Sequence, residues 1–523
     1  MRDILVGIDA GTSVIKAVAF SLDGRQIAVS GRRNSYDQPQ PGHVEQDMAR
    51  TANDVSAALR DLGNLVPDLA SRVVALGVTA QGDGTWLVDA DNNPVGGGLL
   101  WLDSRAMPIV ETYMRSPAYA RHYALTGSGL NACMSSSQIA WMKQHQPERL
   151  AKAVRTLHCK DWLYFSLTGM FATDPSEANF TFGNFRTRRY EPEILEAMGI
   201  GDCVRLLPPI LDGTVTTHPL TAEAAKRTGL PEGLPVALGY IDVVCAALGG
   251  GLYDPPVRAG VTVFGTTGMH MGLTPDAEAV TLNESRSGYT MAFPVPGAVS
   301  QMQSNMAATL NIDWLLKVAG EAAALGGVSL ARDALLAAMD PAVLAARPVS
   351  ALYHPYIVEA GERGPFLDAN ARAQFSGLSQ ETTYPGLMRG VYEGLALAAR
   401  DCYASMGAVP QEVRIAGGAA RSKAIRLILA SMLGASVRTV DREETGAAGA
   451  VMIASVALGL HPDMASCARA WIGPALGEAT MPDPDLAETY RATFPIYRSI
   501  REQMTAPWAA MAALRRSSST SWS

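Results

Sequence analysis

Two loop segments of the same design, one in each half of the chain, constrain its fold more than any other feature of the sequence. In the first, two apolar runs flank the turn-forming residues 9–13, Asp-Ala-Gly-Thr-Ser. In the second, two apolar runs flank residues 265–268, Gly-Thr-Thr-Gly. Runs rich in β-branched residues and separated by Gly, Asp and Thr are typical of antiparallel strands joined by tight turns. The sequence therefore predicts a β-meander in each half, and the two halves have the character of distant structural repeats.

The periodicity of the remaining chain changes between that of helices and that of strands. Residues 48–62 have apolar side chains at helical spacing, whereas 73–79 form a strand-like run. Late in the chain, a strand candidate at 412–416 leads through a glycine turn into helical patterns at 423–433 and 445–458. Strands that alternate with helices indicate a domain of the α+β or the α/β class.

The length of 523 residues suits two or more domains that each bury a core. A stiff Tyr-Asp-Pro-Pro break at residues 253–256 is a suitable boundary. We therefore predict a first domain over residues 1–253, a second over 254–480, and a closing helix with a Ser-rich tail over 481–523. From residue 515 onward, the tail has few side chains able to bury apolar area.

Charge and hydropathy exclude several classes of partner. The chain has 43 Lys and Arg residues against 50 Asp and Glu, a formal net charge of −7, which offers no long-range attraction to nucleic acid. No uncharged apolar run reaches the ~18–20 residues of a membrane helix, and Asp3 and Asp9 interrupt any signal peptide. The scattered cysteines suit a reducing compartment. We expect a cytoplasmic protein that contacts neither nucleic acid nor a membrane.

The first loop has the composition of a phosphate-binding turn. Gly11 lets backbone N–H groups approach phosphate oxygens, Thr12 and Ser13 add hydroxyl donors, and Asp9 can hold Mg²⁺. Ordinary hairpin turns use the same residues, so this loop alone leaves both interpretations open. The second Gly/Thr loop favours phosphate, because two such loops could hold a polyphosphate from both sides of a cleft. The sequence has no P-loop and no G-x-G-x-x-G after a strand, so a nucleotide would need another scaffold.

Five segments extend this pattern along the chain, at residues 7–13, 100–106, 239–242, 265–268 and 415–422. In this order and at this spacing, they make the chain similar to the FGGY family of carbohydrate kinases along almost its whole length. The resemblance implies two ribonuclease-H-like α/β domains, as in the superfamily of actin, sugar kinases and heat-shock chaperones, around a central cleft. It also implies that ATP lies mainly on the second domain and the acceptor mainly on the first.

The same resemblance implies which residues contact the nucleotide. In that family the first loop binds phosphates and metal, the second binds the terminal phosphates, and a glycine pair before a late helix lies against adenosine. By position, Asp9 is the Mg²⁺ residue, and the ATP-binding residues are Gly11, Thr12, Ser13, Gly265, Thr266, Thr267, Gly417, Gly418 and Ser422. The family often has a third glycine where this chain has Ala419. A tight strand-to-helix turn is the alternative interpretation of the glycine pair.

Asp242 is the candidate catalytic residue. The resemblance implies that this Asp is the general base, and phosphoryl transfer needs an acceptor for the proton of the attacking hydroxyl. The helical run that follows it allows a second interpretation, a helix N-cap whose carboxylate accepts backbone N–H bonds. Both roles are compatible in one residue.

The acceptor side is expected around residues 79–86, where members of the family have a variable polar loop. We predict that Gln81, Asp83, Trp101, Asp103 and Asp242 contact the acceptor. The alternative interpretation has Asp83 as a hairpin-turn residue and Trp101 as a core residue. The loop lacks the Arg-Glu pair of glycerol kinases and the Met-His motif of D-xylulose kinases, and it is most similar to erythritol kinases. Asp174 and Asn179, in a nearby polar turn, are interpreted as structural.

These features predict an ATP-dependent and Mg²⁺-dependent kinase that phosphorylates a hydroxyl of a small polyol or sugar, with erythritol as the preferred acceptor. A pentulose kinase for xylulose or ribulose is the alternative within the family. Two other classes stay open, namely an ATPase switch and a catalytically silent nucleotide-binding regulator. A silent regulator would be expected to lack Asp9 or Asp242, and both are present. A homodimer is left open as the assembly.

Overall fold

Two six-stranded mixed β-sheets, one in each half of the chain, form the framework of the protein. The computed structural model describes residues 2–255 and 257–519. Within those residues, no helix has the length and apolar character needed to cross a bilayer.

The first half contains thirteen strands and eleven α-helices among its described residues. The strands are β1 (Ile4–Ala10), β2 (Val14–Ser21), β3 (Gln26–Arg33), β4 (Asp37–Gln40), β5 (His43–Gln46), β6 (Val73–Ala80), β7 (Trp86–Val88), β8 (Gly98–Leu99), β9 (Arg155–Leu157), β10 (Gly183–Asn184), β11 (Arg189–Tyr190), β12 (Thr217–Pro219) and β13 (Pro235–Leu238). The helices are α1 (Met48–Leu65), α2 (Leu69–Arg72), α3 (Met107–Met114), α4 (Ala118–Thr126), α5 (Ser135–His145), α6 (Pro147–Lys152), α7 (Cys159–Thr168), α8 (Pro175–Phe182), α9 (Pro192–Ala197), α10 (Ala222–Thr228) and α11 (Asp242–Gly249).

The second half has fewer strands and longer helices. The strands are β14 (Ala259–Phe264), β15 (Gly268–Thr274), β16 (Tyr289–Ala292), β17 (Val299–Asn305), β18 (Leu352–His354), β19 (Gln374–Ser376), β20 (Glu412–Ala416) and β21 (Ser436–Thr439). The helices are α12 (Thr309–Leu325), α13 (Arg332–Ala345), α14 (Tyr384–Ser405), α15 (Lys423–Leu433), α16 (Thr445–Ala457), α17 (Met464–Ile472), α18 (Pro484–Gln503) and α19 (Thr505–Ser519).

Both large sheets follow one plan. The first has the strand order β12-β13-β6-β1-β2-β3, in which β1, β2 and β3 form an antiparallel meander and β6 and β13 run parallel to β1. The second has the order β16-β17-β15-β14-β20-β21, with the meander β14-β15-β17 and with β20 and β21 parallel to β14. The two predicted meanders are therefore confirmed, and the fold is of the predicted two-domain α/β class.

The parallel strands bring the candidate functional loops to one edge of each sheet, because their carboxyl ends point the same way. In the first sheet, β1, β6 and β13 lead into residues 11–13, 81–85 and 239–241. In the second sheet, β14 and β20 lead into residues 265–267 and 417–422. Segments that are far apart in the sequence thus converge on two sheet edges.

Helices α11 and α16 cross at two glycines, and this crossing joins the two halves. A Cβ atom on Gly449 would overlap the carbonyl oxygen of Cys245, and one on Gly249 would overlap that of Thr445. Only glycine lets the two backbones approach this closely. Beyond the crossing, α16 packs against β1, β6 and β13, so that a helix from the second half covers one face of the first sheet.

The C-terminal helices pack on the second half. α18 lies against α15, and Trp508 of α19 is buried beside Tyr356. α19 continues to Ser519, so the Ser-rich stretch is helical further along than its composition predicts. Residues 520–523 of the predicted tail lie outside the described residues.

The predicted domain limits, after residues 253 and 480, stay a prediction. Pro256, in the proposed break, also lies outside the described residues. Its neighbour Asp254 is bound by the guanidinium of Arg414, at 2.5 Å from Nη2, which ties the break to β20.

Candidate active site

Asp242 is the first residue of α11, and residues 239–241 connect it to the end of β13. Its Oδ1 accepts a hydrogen bond of 2.7 Å from the backbone N–H of Val243, while Ile241 occupies the N-cap position. Asp242 is therefore not the N-cap that the alternative interpretation required, although one oxygen does bind the first turn. No donor among the described residues reaches its Oδ2. One carboxylate oxygen thus stays available to a hydroxyl proton.

Burial, together with the nearby carboxylates Asp9 and Asp83, raises the pKa of Asp242 to about 7, against the lowering effects of the Val243 N–H bond and Lys160. A group with a pKa near the working pH is well suited to general base catalysis, since it is often deprotonated and still basic. Asp9 and Asp83 therefore lie near enough to Asp242 for their charges to affect its pKa.

Asp9 is the last residue but one of β1. Burial raises its pKa to about 6, with Lys16 opposing and Glu444 adding to the shift. Lys16 is bound by Glu444 at 2.8 Å, which links β2 to the start of α16. No hydrogen-bond donor among the described residues reaches the Asp9 carboxylate, so its oxygens are free for a ligand.

The donor set at Asp9 fits Mg²⁺ in one particular way. The described residues contain no cluster of three or more His, Cys, Asp or Glu side chains that could hold a metal ion. Mg²⁺ commonly binds through one or two carboxylates, with phosphate oxygens and water completing its shell. A single free carboxylate beside a phosphate loop fits that mode, and does not fit a metal cage made of protein alone.

A chain of side-chain hydrogen bonds joins the first loop to the acceptor loop. Trp101 Nε1 donates to Thr12 Oγ1 at 2.7 Å, and Thr12 Oγ1 donates to Gln81 Oε1 at 2.8 Å. Gln81 Nε2 then donates to Gln46 Oε1 at 2.7 Å, and Gln81 is only 2% exposed. Both ends of the Gln81 amide take part in this chain, so Gln81 positions Thr12 and Trp101, and its contact with the acceptor stays a prediction. Ser13, by contrast, is exposed on the turn.

Asp83 has both of the features proposed for it. Its φ of 56° and the φ of 80° at Gly84 form a left-handed turn, as the hairpin interpretation requires. Its Oδ1 is nevertheless buried without a hydrogen-bond partner among the described residues, and Cys133 Sγ donates to Oδ2 at 3.6 Å. Burial raises its pKa to about 6, against the opposing charges of His158 and Arg363. A buried carboxylate oxygen without a donor is the group expected to bind a substrate hydroxyl.

Trp101 and Asp103 separate into two roles. Trp101 is 43% exposed, so the interpretation of it as a core residue is wrong. Asp103 is fully enclosed: Oδ2 accepts from the Val44 N–H at 2.7 Å and from Arg105 Nη2 at 2.8 Å, and Oδ1 accepts from the Arg105 N–H at 3.0 Å. Both its oxygens are engaged in an internal ion pair. The predicted contact of Asp103 with the acceptor is therefore not supported, and its role is to hold the loop that presents Trp101.

The two loops of the second sheet meet beside a cavity of about 580 Å³, within the usual size range of small-molecule sites. Gly265 accepts hydrogen bonds through its carbonyl from the N–H of Thr309 at 3.0 Å and its Oγ1 at 2.9 Å. Gly417 packs against the end of β14, where a side chain would overlap Phe264. Thr309, Gly418 and Ser422 all line the cavity. Gly418 and Ser422 thus line this cavity, whereas the second loop adjoins it through the hydrogen bonds between Gly265 and Thr309.

Ser422 has a structural partner that the sequence did not reveal. Its Oγ accepts from the N–H of Ile425 at 3.0 Å and donates to Asp340 Oδ1 at 2.5 Å. Asp340 Oδ2 accepts from the Lys423 N–H at 2.7 Å, and both Asp340 and Tyr392 line the cavity. These two residues lie on α13 and α14, far from any motif, and no local pattern could have indicated them.

Family models confirm the resemblance found in the sequence. Residues 4–249 match the N-terminal domain of the FGGY family of carbohydrate kinases, and residues 260–458 match its C-terminal domain. The chain belongs to the FGGY family of carbohydrate kinases. It is therefore a phosphotransferase that acts on an alcohol group of a small-molecule acceptor, and family membership implies the use of ATP. An ATPase switch or a silent regulator is not favoured.

Among known proteins, this FGGY kinase is 50% identical to the erythritol kinase of Brucella abortus (strain 2308) over 511 residues, which cover 98% of each chain. It is 27% identical to the L-xylulose/3-keto-L-gulonate kinase of Escherichia coli (strain K12), over 96% of this chain and 97% of the other. Among solved structures, the ligand-bound xylulose kinase of Lactobacillus acidophilus superposes with a TM-score of 0.86 at 22% identity, over 97% of this chain and 99% of that one. This last similarity supports the fold alone.

In this FGGY kinase, residues of the second half lie near the predicted acceptor loop. Asn131 Nδ2 donates to the hydroxyl of Tyr289 on β16 at 2.7 Å, and the charge of Arg363 lowers the pKa of Asp83 against the larger effect of burial. Arg363, Tyr289 and Asn131 line a small cavity between the two halves. The sequence analysis did not single out any of the three, because their proximity depends on how the two halves pack.

Gly418 offers a direct test of the nucleotide cavity in this FGGY kinase. A Cβ at this position would have no protein atom within 4 Å, so Gly418→Val should fold normally and project its side chain into the cavity. We expect the KM for ATP to rise by at least about tenfold, equal to about 1.4 kcal/mol, with the acceptor KM and the melting temperature little changed. Gly320→Val, at an equally open glycine of α12 outside the cavity lining, is the control. Unchanged ATP binding in Gly418→Val would remove this cavity from the nucleotide site.

Proposed function

We propose that this FGGY kinase transfers the γ-phosphoryl group of ATP to a hydroxyl of erythritol. The observation that supports this acceptor is the extent of the identity to the Brucella abortus erythritol kinase, which is far above that to the xylulose kinases. The site is compatible with such an acceptor, because a short polyol presents several hydroxyls to the unpartnered carboxylates at the cleft.

In the proposed reaction, the hydroxyl oxygen of the acceptor bonds to the γ-phosphorus of ATP, and the free oxygen of Asp242 accepts the proton of that hydroxyl. ADP leaves with the electron pair of the broken P–O bond. Asp83 accepts a hydrogen bond from a neighbouring hydroxyl, and Trp101 forms the wall of the acceptor site. Thr12 and the loop at Gly265 approach the phosphates from the two halves. Asp9 would hold Mg²⁺, which supplies positive charge to the phosphate oxygens.

A coupled ADP-release assay across acceptors tests the proposal. Erythritol, glycerol, ribitol, xylitol, D-xylulose, L-xylulose and L-ribulose are compared at equal concentrations with saturating ATP. We expect kcat/KM to be highest for erythritol. A strong preference for a pentulose over every alditol would replace the proposal with the pentulose kinase alternative.

The role of Asp83 gives a further prediction. Asp83→Asn keeps the shape of the side chain, and Asn tolerates the left-handed backbone at this position. Loss of a charged acceptor for a buried hydroxyl costs roughly 1–3 kcal/mol, so kcat/KM for the acceptor should fall about 5- to 150-fold, with the KM for ATP unchanged. Asp68→Asn, at an exposed Asp with φ 59°, controls for the backbone conformation. An unchanged kcat/KM for the acceptor would leave Asp83 as a turn residue only.

The homodimeric assembly and the cytoplasmic location stay predictions. Gel filtration coupled to light scattering would decide the first.

A further inference from the structure

A buried carboxyl lies beneath the Asp83 loop and has no role in the mechanism described so far. Glu177 belongs to α8, and its side chain has no solvent-exposed surface. Neither Oε1 nor Oε2 has a hydrogen-bond partner among the described residues. His158 is the charged residue that approaches the Glu177 carboxyl. Its Nε2 lies 3.5 Å from Glu177 Oε2, which is too far for a good hydrogen bond.

The position of Glu177 relates it to the acceptor site. A Cβ atom on Gly82 would lie 3.0 Å from Glu177 Oε1, so the carboxyl touches the backbone that carries Asp83. Ser176, which precedes Glu177 in α8, accepts a hydrogen bond through Oγ from the backbone N–H of Ile241. Ile241 is the residue before the candidate base, Asp242. The first turn of α8 therefore lies directly behind both the acceptor loop and Asp242.

Among the surrounding charges of the described residues, only His158 approaches Glu177, through the 3.5 Å contact of its Nε2 with Oε2. The ammonium of Lys160 is bound at 2.7 Å to both Asp161 and Asp174. His158 is held through Nδ1 by Asp161 Oδ2 at 3.0 Å. A buried carboxyl without a partner costs free energy that a fold rarely leaves uncompensated. Asp83 Oδ1, on the adjoining loop, is unpartnered in the same way.

We propose that Glu177 binds a hydroxyl of the acceptor other than the one that is phosphorylated, and so determines which length of polyol the site accepts. The inference rests on the proposed function, and it adds a second carboxyl to the acceptor site. Asp83 binds the hydroxyl next to the reacting one, and Glu177 binds a hydroxyl further from Asp242. An acceptor too short to reach Glu177 leaves its carboxyl unpaired, whereas a longer one must displace it.

The protonation of Glu177 agrees with this role. Burial raises its pKa to about 8, with His158 and Lys160 opposing. At neutral pH the carboxyl is therefore largely protonated, and can donate one hydrogen bond to a hydroxyl oxygen and accept another from a hydroxyl proton.

The test uses Glu177→Gln and Glu177→Met in the full chain, with Thr181→Val as the matched control. Thr181 lies one turn further along α8, is also buried, and also has an unpartnered oxygen. Glu177→Met fills a similar volume without a buried polar group, so it keeps the experiment interpretable if Glu177→Gln is unstable. The measurements are KM for the acceptor and for ATP, relative kcat/KM for glycerol, erythritol and xylitol, and the rise in melting temperature with erythritol.

We expect Glu177→Met to raise the erythritol KM at least about tenfold and to lose most of the preference for erythritol over glycerol and xylitol. Glu177→Gln keeps one donor and one acceptor, as the protonated carboxyl does, so it should be affected much less. The KM for ATP should change less than twofold, and Thr181→Val should behave as wild type. A folded Glu177→Met with wild-type erythritol KM and wild-type relative rates would overturn the inference, as would an equal effect of Thr181→Val. If the wild-type protein is inactive on every alditol, the proposed acceptor is wrong. The same variants would then be measured with whichever acceptor the wild-type protein phosphorylates.

Discussion

Replacing Asp242 by Asn is expected to lower kcat about 10²–10⁴-fold, the usual contribution of a positioned general base. Asn has the same shape and can still accept the Val243 N–H bond through its amide oxygen. It lacks the basic lone pair that the free carboxylate oxygen offers to a hydroxyl proton. Because the cavity beside Gly418 and the loop at Gly265 are untouched, the Kd for ATP should change little. Single-turnover kinetics and isothermal titration with ATP measure the two quantities separately.

A purely structural Asp242 predicts a different result. Asn is about as good as Asp at a helix N-terminus, so the variant would then be nearly silent in rate and in melting temperature. Asp463→Asn provides the control, since Asp463 is an exposed N-cap of α17 whose Oδ1 accepts from the Ser466 N–H at 2.7 Å. Near-wild-type turnover in Asp242→Asn would remove this residue from the mechanism.

The largest effect on stability is expected for Lys160→Met. Lys160 has no exposed side-chain surface and binds two buried carboxylates. Removing one partner of a buried ion pair costs about 3–5 kcal/mol, because the remaining charge is left in a low-dielectric interior. The melting temperature should fall by on the order of 10 °C. Lys143→Met is the control, since it removes a surface ion pair with Asp202 in which the two side chains are 41% and 67% exposed. This variant should change the melting temperature little.

The effect of Lys160→Met should depend on pH in a defined direction. Burial raises the pKa of Asp161, but Lys160 and His158 outweigh it and lower that pKa from 3.8 to about 2. A lowered folded-state pKa gives stability that is present above the unfolded value and is lost as pH falls. The difference in melting temperature between wild type and Lys160→Met should therefore be largest near neutral pH and narrow between pH 4 and 2. A difference that stays constant over this range would assign the destabilisation to packing instead of charge.

The parts of the fold that the sequence predicted are those with strong local signals. The strand at 412–416 and the helix at 423–433 have the predicted limits, because a glycine turn and the Ser422 cap separate them. The two Gly/Thr loops were predicted because each lies between apolar runs. Asp242 was predicted through the family resemblance, and its exact helix position was not.

The residues that were missed depend on tertiary proximity. Asp340 contacts Ser422 across 82 positions in the sequence, and Glu177 of α8 lies 3.5 Å from His158, the N-cap of α7. Asn179 was interpreted as structural, yet both of its amide atoms are buried without partners, as Glu177's oxygens are. Asp103 was assigned to the acceptor although Arg105, two positions away, neutralises it. A motif identifies a loop, but it does not reveal which of its polar side chains are already paired.

The covering of the first sheet by α16 affects how this chain can fold during synthesis. Residues 4–249, the extent of the first family domain, include β1, β6 and β13 but lack the helix that packs on them. While the chain is being translated, the sheet has one apolar face open until residues 445–457 have left the ribosome. Contacts between segments so distant in sequence form slowly, and the exposed surface is prone to aggregation in the interval. The first half expressed alone is therefore expected to need a chaperone or to be insoluble, and adding the second half in trans should not easily rescue it.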